Sequence, residues 1–291
     1  MKVLLTGATG FVGRHLLPAL AARHEVVALV RRVPGEAPIG ATWLVADIET
    51  LDPSAMPAGI EGVIHEASRI DDPFGRDPGL MELAGTNVTG MLRLLEWAAS
   101  ARVRRFVYGS TGGIVGAGPS GTAVRETARP QPPNPYNLTK HLAEQALVSY
   151  AWPFEVSSLR YYAPYARDGS NPMIIHFLEC LARGEPIDTG SDDGPWMNPV
   201  HISDAVALTI RALEMARPPR VVSVAGPDPV SRVTFVEHLA GATGHRAVFR
   251  RGAEPTSSWV ADIQRLERTL GRPKVGVAEG IAREWGRGVN R

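Results

Sequence analysis

The chain has 291 residues, enough for one large α/β domain or two smaller ones, with a sizeable core and no need of covalent staples. Lys and Arg number 31 against 30 Asp and Glu, so a net charge of +1 excludes the basic balance of a nucleic-acid binder and the excess charge of a disordered chain. The single cysteine forms no intrachain disulfide and fits a reducing compartment, and no apolar run reaches the length of a membrane span.

The start of the chain, Met1 to Gly7, is too short an apolar stretch for a signal peptide. A cytoplasmic enzyme or binding protein with no membrane and no nucleic-acid partner is expected. The basic side is lopsided. Only three lysines, Lys2, Lys140 and Lys274, stand among 28 arginines.

In chain order the first half alternates apolar β-rich runs with helical patterns. Strands are predicted at Lys2–Thr6, Glu25–Val30, Thr42–Ala46, Gly62–His65, Arg105–Tyr108 and Glu155–Leu159. Helices are predicted at Phe11–Ala22, across 80–100, and from Asn134 to Tyr150. Strand–helix alternation with uninterrupted apolar strands argues for a doubly wound parallel sheet covered on both faces, an α/β fold of the Rossmann type. Beyond about residue 165, Pro and Gly punctuate more often. Helices are predicted at Met173–Arg183, Ser203–Met215 and Val233–Ala240, with a strand at Val221–Ala225. The expected organisation is a dinucleotide-binding domain over 1–165 and a smaller C-terminal, substrate-binding lobe over 166–291. Parts near 200–225 are expected to pack back on the first domain. Residues 246–291 carry ten Arg/Lys against five Asp/Glu, the balance of a solvated basic face.

Between the first strand and the first helix lies Thr6-Gly7-Ala8-Thr9-Gly10-Phe11-Val12-Gly13. Gly7 permits a tight turn, Gly10 a close approach to phosphate, and Gly13 close packing of helix on strand. The helix start offers free N–H groups to a pyrophosphate. Strand two ends in Arg31-Arg32, with no carboxylate to meet a ribose 2′-hydroxyl. Paired arginines suit a 2′-phosphate, so NADP(H) is favoured over NAD(H). Asp47-Ile48 either meets the adenine region or caps the strand.

Tyr136 and Lys140 stand four apart, hence on one helical face. A phenol is a poor base at neutral pH, and a neighbouring ammonium favours its phenolate. Tyr136 can then exchange a proton with a substrate oxygen while hydride moves at the adjacent carbon. Ser110, Thr111 and Gly112 follow the preceding strand, where hydroxyls face the ligand crevice of a parallel sheet. No His or Cys spacing suits a metal, and His201 with Asp204 reads as a helix start.

Taken together, these blocks resemble the extended short-chain dehydrogenase/reductases, the NAD(P)-dependent epimerase/dehydratase group, over about residues 1–272. TGATGFVG matches the cofactor fingerprint. Val63-Ile64-His65-Glu66-Ala67 resembles the strand-four motif, and Asn87 stands where the group has its helix-four Asn. Pro135–Lys140 with Ala143-Glu144 resembles the tyrosine segment, and Leu159-Arg160-Tyr161-Tyr162-Ala163-Pro164 a later block. The resemblance implies Thr111, Tyr136 and Lys140 as catalytic residues. It implies His65, Ala67, Asn87 and Tyr162 as cofactor contacts beside the glycine-rich turn. It also implies a homodimer.

The departures narrow the chemistry. Dehydratases of this group place Asp-Glu after the threonine, where this chain has Gly112 and Gly113, so dehydration and decarboxylation are not expected. At the substrate end Ala163 stands where the group has Asn, and Met197 where it has an Arg. Trp196 and Met197 then line a less polar pocket, or simply pack, while Arg251 resembles a phosphate-contacting Arg. The substrate is a sugar nucleotide or a less polar carbonyl compound. The first expectation is an oxidoreductase acting on a carbonyl or secondary alcohol. The alternatives are a sugar-nucleotide 4-epimerase that retains its dinucleotide and a non-catalytic NADP(H) sensor.

Overall fold

The computed structural model describes residues 1–70, 79–119, 122–170, 172–190, 193–252 and 258–286. The chain forms two compact units. The first comprises Met1–Ile114, Pro130–Arg160 and Val206–Val222; the second comprises Val115–Arg129, Tyr161–Ala205 and Ser223–Arg291.

In the first unit β1 (Lys2–Thr6) leads into α1 (Phe11–Ala21), then β2 (Glu25–Val30), β3 (Ala41–Val45) and β4 (Gly62–His65). Val3, Leu4 and Leu5 are all fully buried, which explains the unbroken apolar run: both faces of the strand are covered. After β4 come α2 (Leu80–Ala84), a π-helical turn at Gly85–Thr89, α3 (Gly90–Ser100), β5 (Arg105–Thr111), α4 (Pro135–Ser149) and β6 (Glu155–Tyr161). The seven-stranded sheet runs Val221–Val224, β6, β5, β4, β1, β2, β3. The β1–β2, β1–β4, β2–β3 and β4–β5 pairs are all parallel. The order reverses between β1 and β4, and ligands of such sheets bind outside the carboxyl ends of the strands at that switch point.

One predicted helix is not continuous. The pattern over 80–100 resolves into two helices around the π turn, because that turn is tied to its neighbours. Thr86 Oγ1 donates to Glu49 Oε1 at 2.5 Å, and a Cβ at Gly90 would stand 3.0 Å from Ile48. π turns of this kind gather at functional sites, and this one carries Asn87. The start of α4 is fixed by Asn134, whose side chain accepts the Asn137 N–H at 2.8 Å, and by Pro135 at the first helical position.

In the second unit Trp196–Met197 pairs antiparallel with Val230–Ser231, and Ile187–Gly190 pairs parallel with Phe249–Arg251. Its core gathers Phe177, Phe235, Leu239, Val277 and Ile281. Here the His-x-x-Asp segment is a structural clamp. His201 Nε2 lies 2.9 Å from Glu284 Oε1, and Asp204 Oδ2 accepts the N–H groups of Lys274 and Val275 at 2.8 Å each. No helix among the described residues is long and apolar enough to cross a membrane.

Candidate active site

The glycine-rich turn is shaped by contacts that no side chain would permit. Gly7 has φ +71°, and a Cβ there would run into the backbone of Glu66 and Ala67; one at Gly13 would overlap the Gly7 carbonyl. The turn after β1 is thereby pressed onto the segment after β4, on the two sides of the switch point. No side chain caps the start of α1 at Gly10. Thr9 and Gly10 are exposed at the lip, while Phe11 and Val12 are half-buried. Uncapped N–H groups on a backbone with no Cβ in the way fit a pyrophosphate.

At the floor of this crevice the polar groups outnumber their partners. Thr6 Oγ1 accepts the Ala67 N–H at 3.2 Å and lies 2.6 Å from His65 Nδ1. Burial, and then the charge of Lys140, push His65 down to about 3, so the ring is neutral at physiological pH. The Thr6 hydroxyl and His65 Nδ1 thus share one hydrogen bond whose direction follows the ring tautomer. His65 Nε2, Tyr108 Oη and Ser110 Oγ are buried without a hydrogen-bond partner among the described residues. His65 and Tyr108 are register partners on β4 and β5, and their rings stack at 5.5 Å. Three orphaned polar atoms at the ends of two adjacent strands suit a polar ligand.

Tyr136 and Lys140 occupy successive turns of α4, the first half-buried and the second only 2% exposed. Lys140 Nζ donates to the Gly109 carbonyl at 2.6 Å and sits over the Tyr108 ring at 4.3 Å. Burial lowers Lys140 to about 8, against the opposing pull of Glu66 and Glu144. Burial also holds the Tyr108 phenol well above its ordinary value, so it stays protonated. Thr111 Oγ1 accepts the Gly113 N–H at 3.1 Å, which leaves its own proton to donate. Gly113 lacks a side chain for a local reason: a Cβ there would overlap the Asn137 amide. Gly112 is buried beside it.

The remaining first-unit residues divide. Asn87 is buried, and its amide is spent within the protein. It donates to Arg69 O and Thr139 Oγ1, both at 2.9 Å, and accepts from Arg69 N at 2.8 Å and Ser68 Oγ at 3.1 Å. It clips the segment after β4 to the tyrosine helix. Asp47 accepts the Glu49 N–H at 2.9 Å as the cap of a 3-10 turn, and Ile48 is buried in the core against α3. Arg31 and Arg32 are exposed just past β2. Glu66, Gly109 and Tyr108 join Lys140 here without having been singled out as site residues. Their proximity comes from strand pairing and a side chain folding across it, neither of which has a sequence period.

The candidates in the second unit stand as follows. Tyr162 is buried with Ala225 and Ala261. Ala163 holds φ +41°, a left-handed conformation that suits Asn or Gly better than Ala. Met197 is buried in the core, while Trp196 is 39% exposed. Arg250 pairs with Asp188 at 2.5 and 2.7 Å. The strand register shifts between Arg250 and Arg251, and Arg251 is exposed. Among the described residues no group of three His, Cys, Asp or Glu side chains could hold a metal.

The NAD dependent epimerase/dehydratase family matches residues 3–225 of this sequence. The chain belongs to that family. The α/β fold class and the expectation of an enzyme hold with it. The probable UDP-glucuronate 4-epimerase of Rhizobium meliloti (strain 1021) is 26% identical over 334 residues, covering 98% of this chain and 96% of that protein. MoeE5 in complex with UDP-glucose and NAD is 27% identical with a TM-score of 0.79, covering 98% of this chain and 97% of its own. The Thermus thermophilus UDP-glucose 4-epimerase complex with NAD is 25% identical with a TM-score of 0.78, covering 97% and 96%. These relatives favour the epimerase over the net oxidoreductase that the sequence first suggested. The two solved structures are complexes with NAD and lend no support to the preference for NADP(H) drawn from Arg31 and Arg32.

Proposed function

We propose that the protein is a nucleotide-sugar 4-epimerase working with a nicotinamide dinucleotide. The observation that carries this reading is the Tyr136–Lys140 pair on successive turns of α4, tied to β5 through the Gly109 carbonyl, with glycine at both positions after Thr111. The set can move one proton at one hydroxyl, and Gly112 and Gly113 offer no second acid or base. Epimerisation at a single carbon needs no more. The names of the relatives support both the reaction and the substrate class.

When bound, the dinucleotide supplies reversible hydride transfer at the carbon that bears this hydroxyl. The chain's own residues do the rest. Gly7, Gly10 and Gly13 with the start of α1 bind the pyrophosphate. The Lys140 ammonium, which donates to Gly109 O, would hold the dinucleotide's ribose and favour the Tyr136 phenolate. Tyr136 takes the substrate hydroxyl proton as the carbonyl forms and returns it when the carbon is reduced from the opposite face. The Thr111 hydroxyl donates to the same substrate oxygen and orients it. Arg251, exposed on its strand, is the candidate diphosphate contact, and Trp196 the candidate apolar wall.

Arg31 and Arg32 leave room for a 2′-phosphate, so the proposal includes NADP(H) alongside NAD(H). Mass analysis of the dinucleotide released on denaturation reads the choice. Tyr136→Phe is expected to lower turnover of UDP-glucose or UDP-glucuronate by about 10²–10⁴-fold, followed by proton NMR of the sugar. Full turnover by this variant would overturn the role given to Tyr136.

A further inference from the structure

Lys140 is buried, and burial favours the uncharged amine. Two carboxylates act against that. Glu144, one turn further along α4, is already committed: it is fully buried and paired to Arg160 at 2.5 Å. The other is Glu66, the residue after β4. A Cβ at Gly109 would overlap the Glu66 carboxyl group, so that group rests against the Gly109 Cα. The Gly109 carbonyl is also the acceptor that holds Lys140 Nζ at 2.6 Å. An anion and a cation thus meet at one residue, and only glycine admits the first of them.

We propose that Glu66 is a positioning residue, the counter-charge that keeps Lys140 protonated on the Gly109 carbonyl, and that position 109 is glycine to admit it. The value of that charge to catalysis rests on the epimerase reading; the electrostatic influence of Glu66 on Lys140 does not. The groups around Lys140 single out Glu66. His65 on β4 is neutral and Tyr108 on β5 stays protonated. On α4 itself stand Tyr136 and Glu144, and behind Glu144 lies Arg160 of β6. Lys140 lies near 8, and of the two carboxylates Glu66 exerts the larger pull against burial.

The scarcity of lysine supplies the test. The chain has three lysines, so [13Cε]lysine labelling of the whole protein gives three side-chain signals. Lys140→Arg identifies the one that belongs to Lys140. Glu66→Gln keeps the shape and removes the charge, and is expected to lower the Lys140 midpoint by about one pH unit or more. Gly109→Ala, whose methyl displaces the carboxyl group, is expected to shift it in the same direction. In Glu66→Gln the alkaline limb of the kcat profile follows the midpoint downward while KM changes little. An unchanged Lys140 midpoint in Glu66→Gln overturns the proposal. A midpoint that falls while the rate profile stays in place confirms the counter-charge and refutes the role of Lys140 in turnover.

Discussion

Glu144→Ala tests whether the helix that carries Tyr136 and Lys140 is held by its buried charges. Glu144 is fully buried, and its carboxylate has three donors: the Ser158 hydroxyl at 2.6 Å, Arg160 Nε at 3.1–3.2 Å and the Arg160 terminal amino group at 2.5 Å. Truncation removes this carboxylate from a guanidinium that is 4% exposed and from a buried hydroxyl. Leaving one member of such a pair uncompensated costs about 3–5 kcal/mol. At about 2–4 °C per kcal/mol for a chain of this size, the melting temperature falls by roughly 10 °C. Melting followed by circular dichroism, with urea unfolding as a second probe, reads the change. The double variant Glu144→Leu/Arg160→Met removes both charges and is expected to recover most of the loss, because a well-packed apolar pair replaces a buried ion pair at little cost. A drop of about 2 °C or less in Glu144→Ala would refute the assignment of a stabilising pair. So would a double variant no better than the single.

Two further outcomes follow from the geometry. His65 sits near 3 in the folded protein against 6.5 in the unfolded chain, so below pH 6.5 the unfolded state binds the extra proton. Stability is therefore full above 6.5 and is lost as pH falls toward 3, at up to about 1.4 kcal/mol per pH unit from this group. Urea midpoints at pH 6 and pH 4 should differ less in His65→Asn than in wild type; equal differences would contradict a neutral buried ring. Ala163→Gly relieves a φ of +41° and is expected to stabilise the protein by about 1 kcal/mol, seen as a raised urea midpoint. A lowered midpoint would show that the strain is absent.

The sheet was legible because its central strands, buried on both faces, announce themselves as apolar runs. Lys2–Thr6, Glu25–Val30 and Gly62–His65 were expected and observed with the same bounds. The glycine turn and the Tyr136–Lys140 pair were legible because each is local, a few residues with fixed spacing. Asn87 was expected to touch the cofactor, yet its four hydrogen bonds all end on the protein. A sequence motif marks a position without saying whether the side chain faces ligand or neighbour. The Glu66–Gly109–Lys140 convergence was illegible for a different reason. Its members come from two elements and the segment after a third, and the informative feature at Gly109 is a missing side chain. The small ribbons of the second unit, two to four residues each, are too short to carry a period. The dinucleotide preference turned on two exposed arginines, and exposed arginines in a chain with 28 of them carry little information.

The most direct test of the central claim is to give the purified protein UDP-glucose or UDP-glucuronate with no added dinucleotide and follow the sugar by NMR. The 4-epimer is expected to accumulate to equilibrium while absorbance at 340 nm shows no net change. Turnover that stops without added NAD(P)H, and then consumes it in proportion to product, would contradict the epimerase and restore the net oxidoreductase.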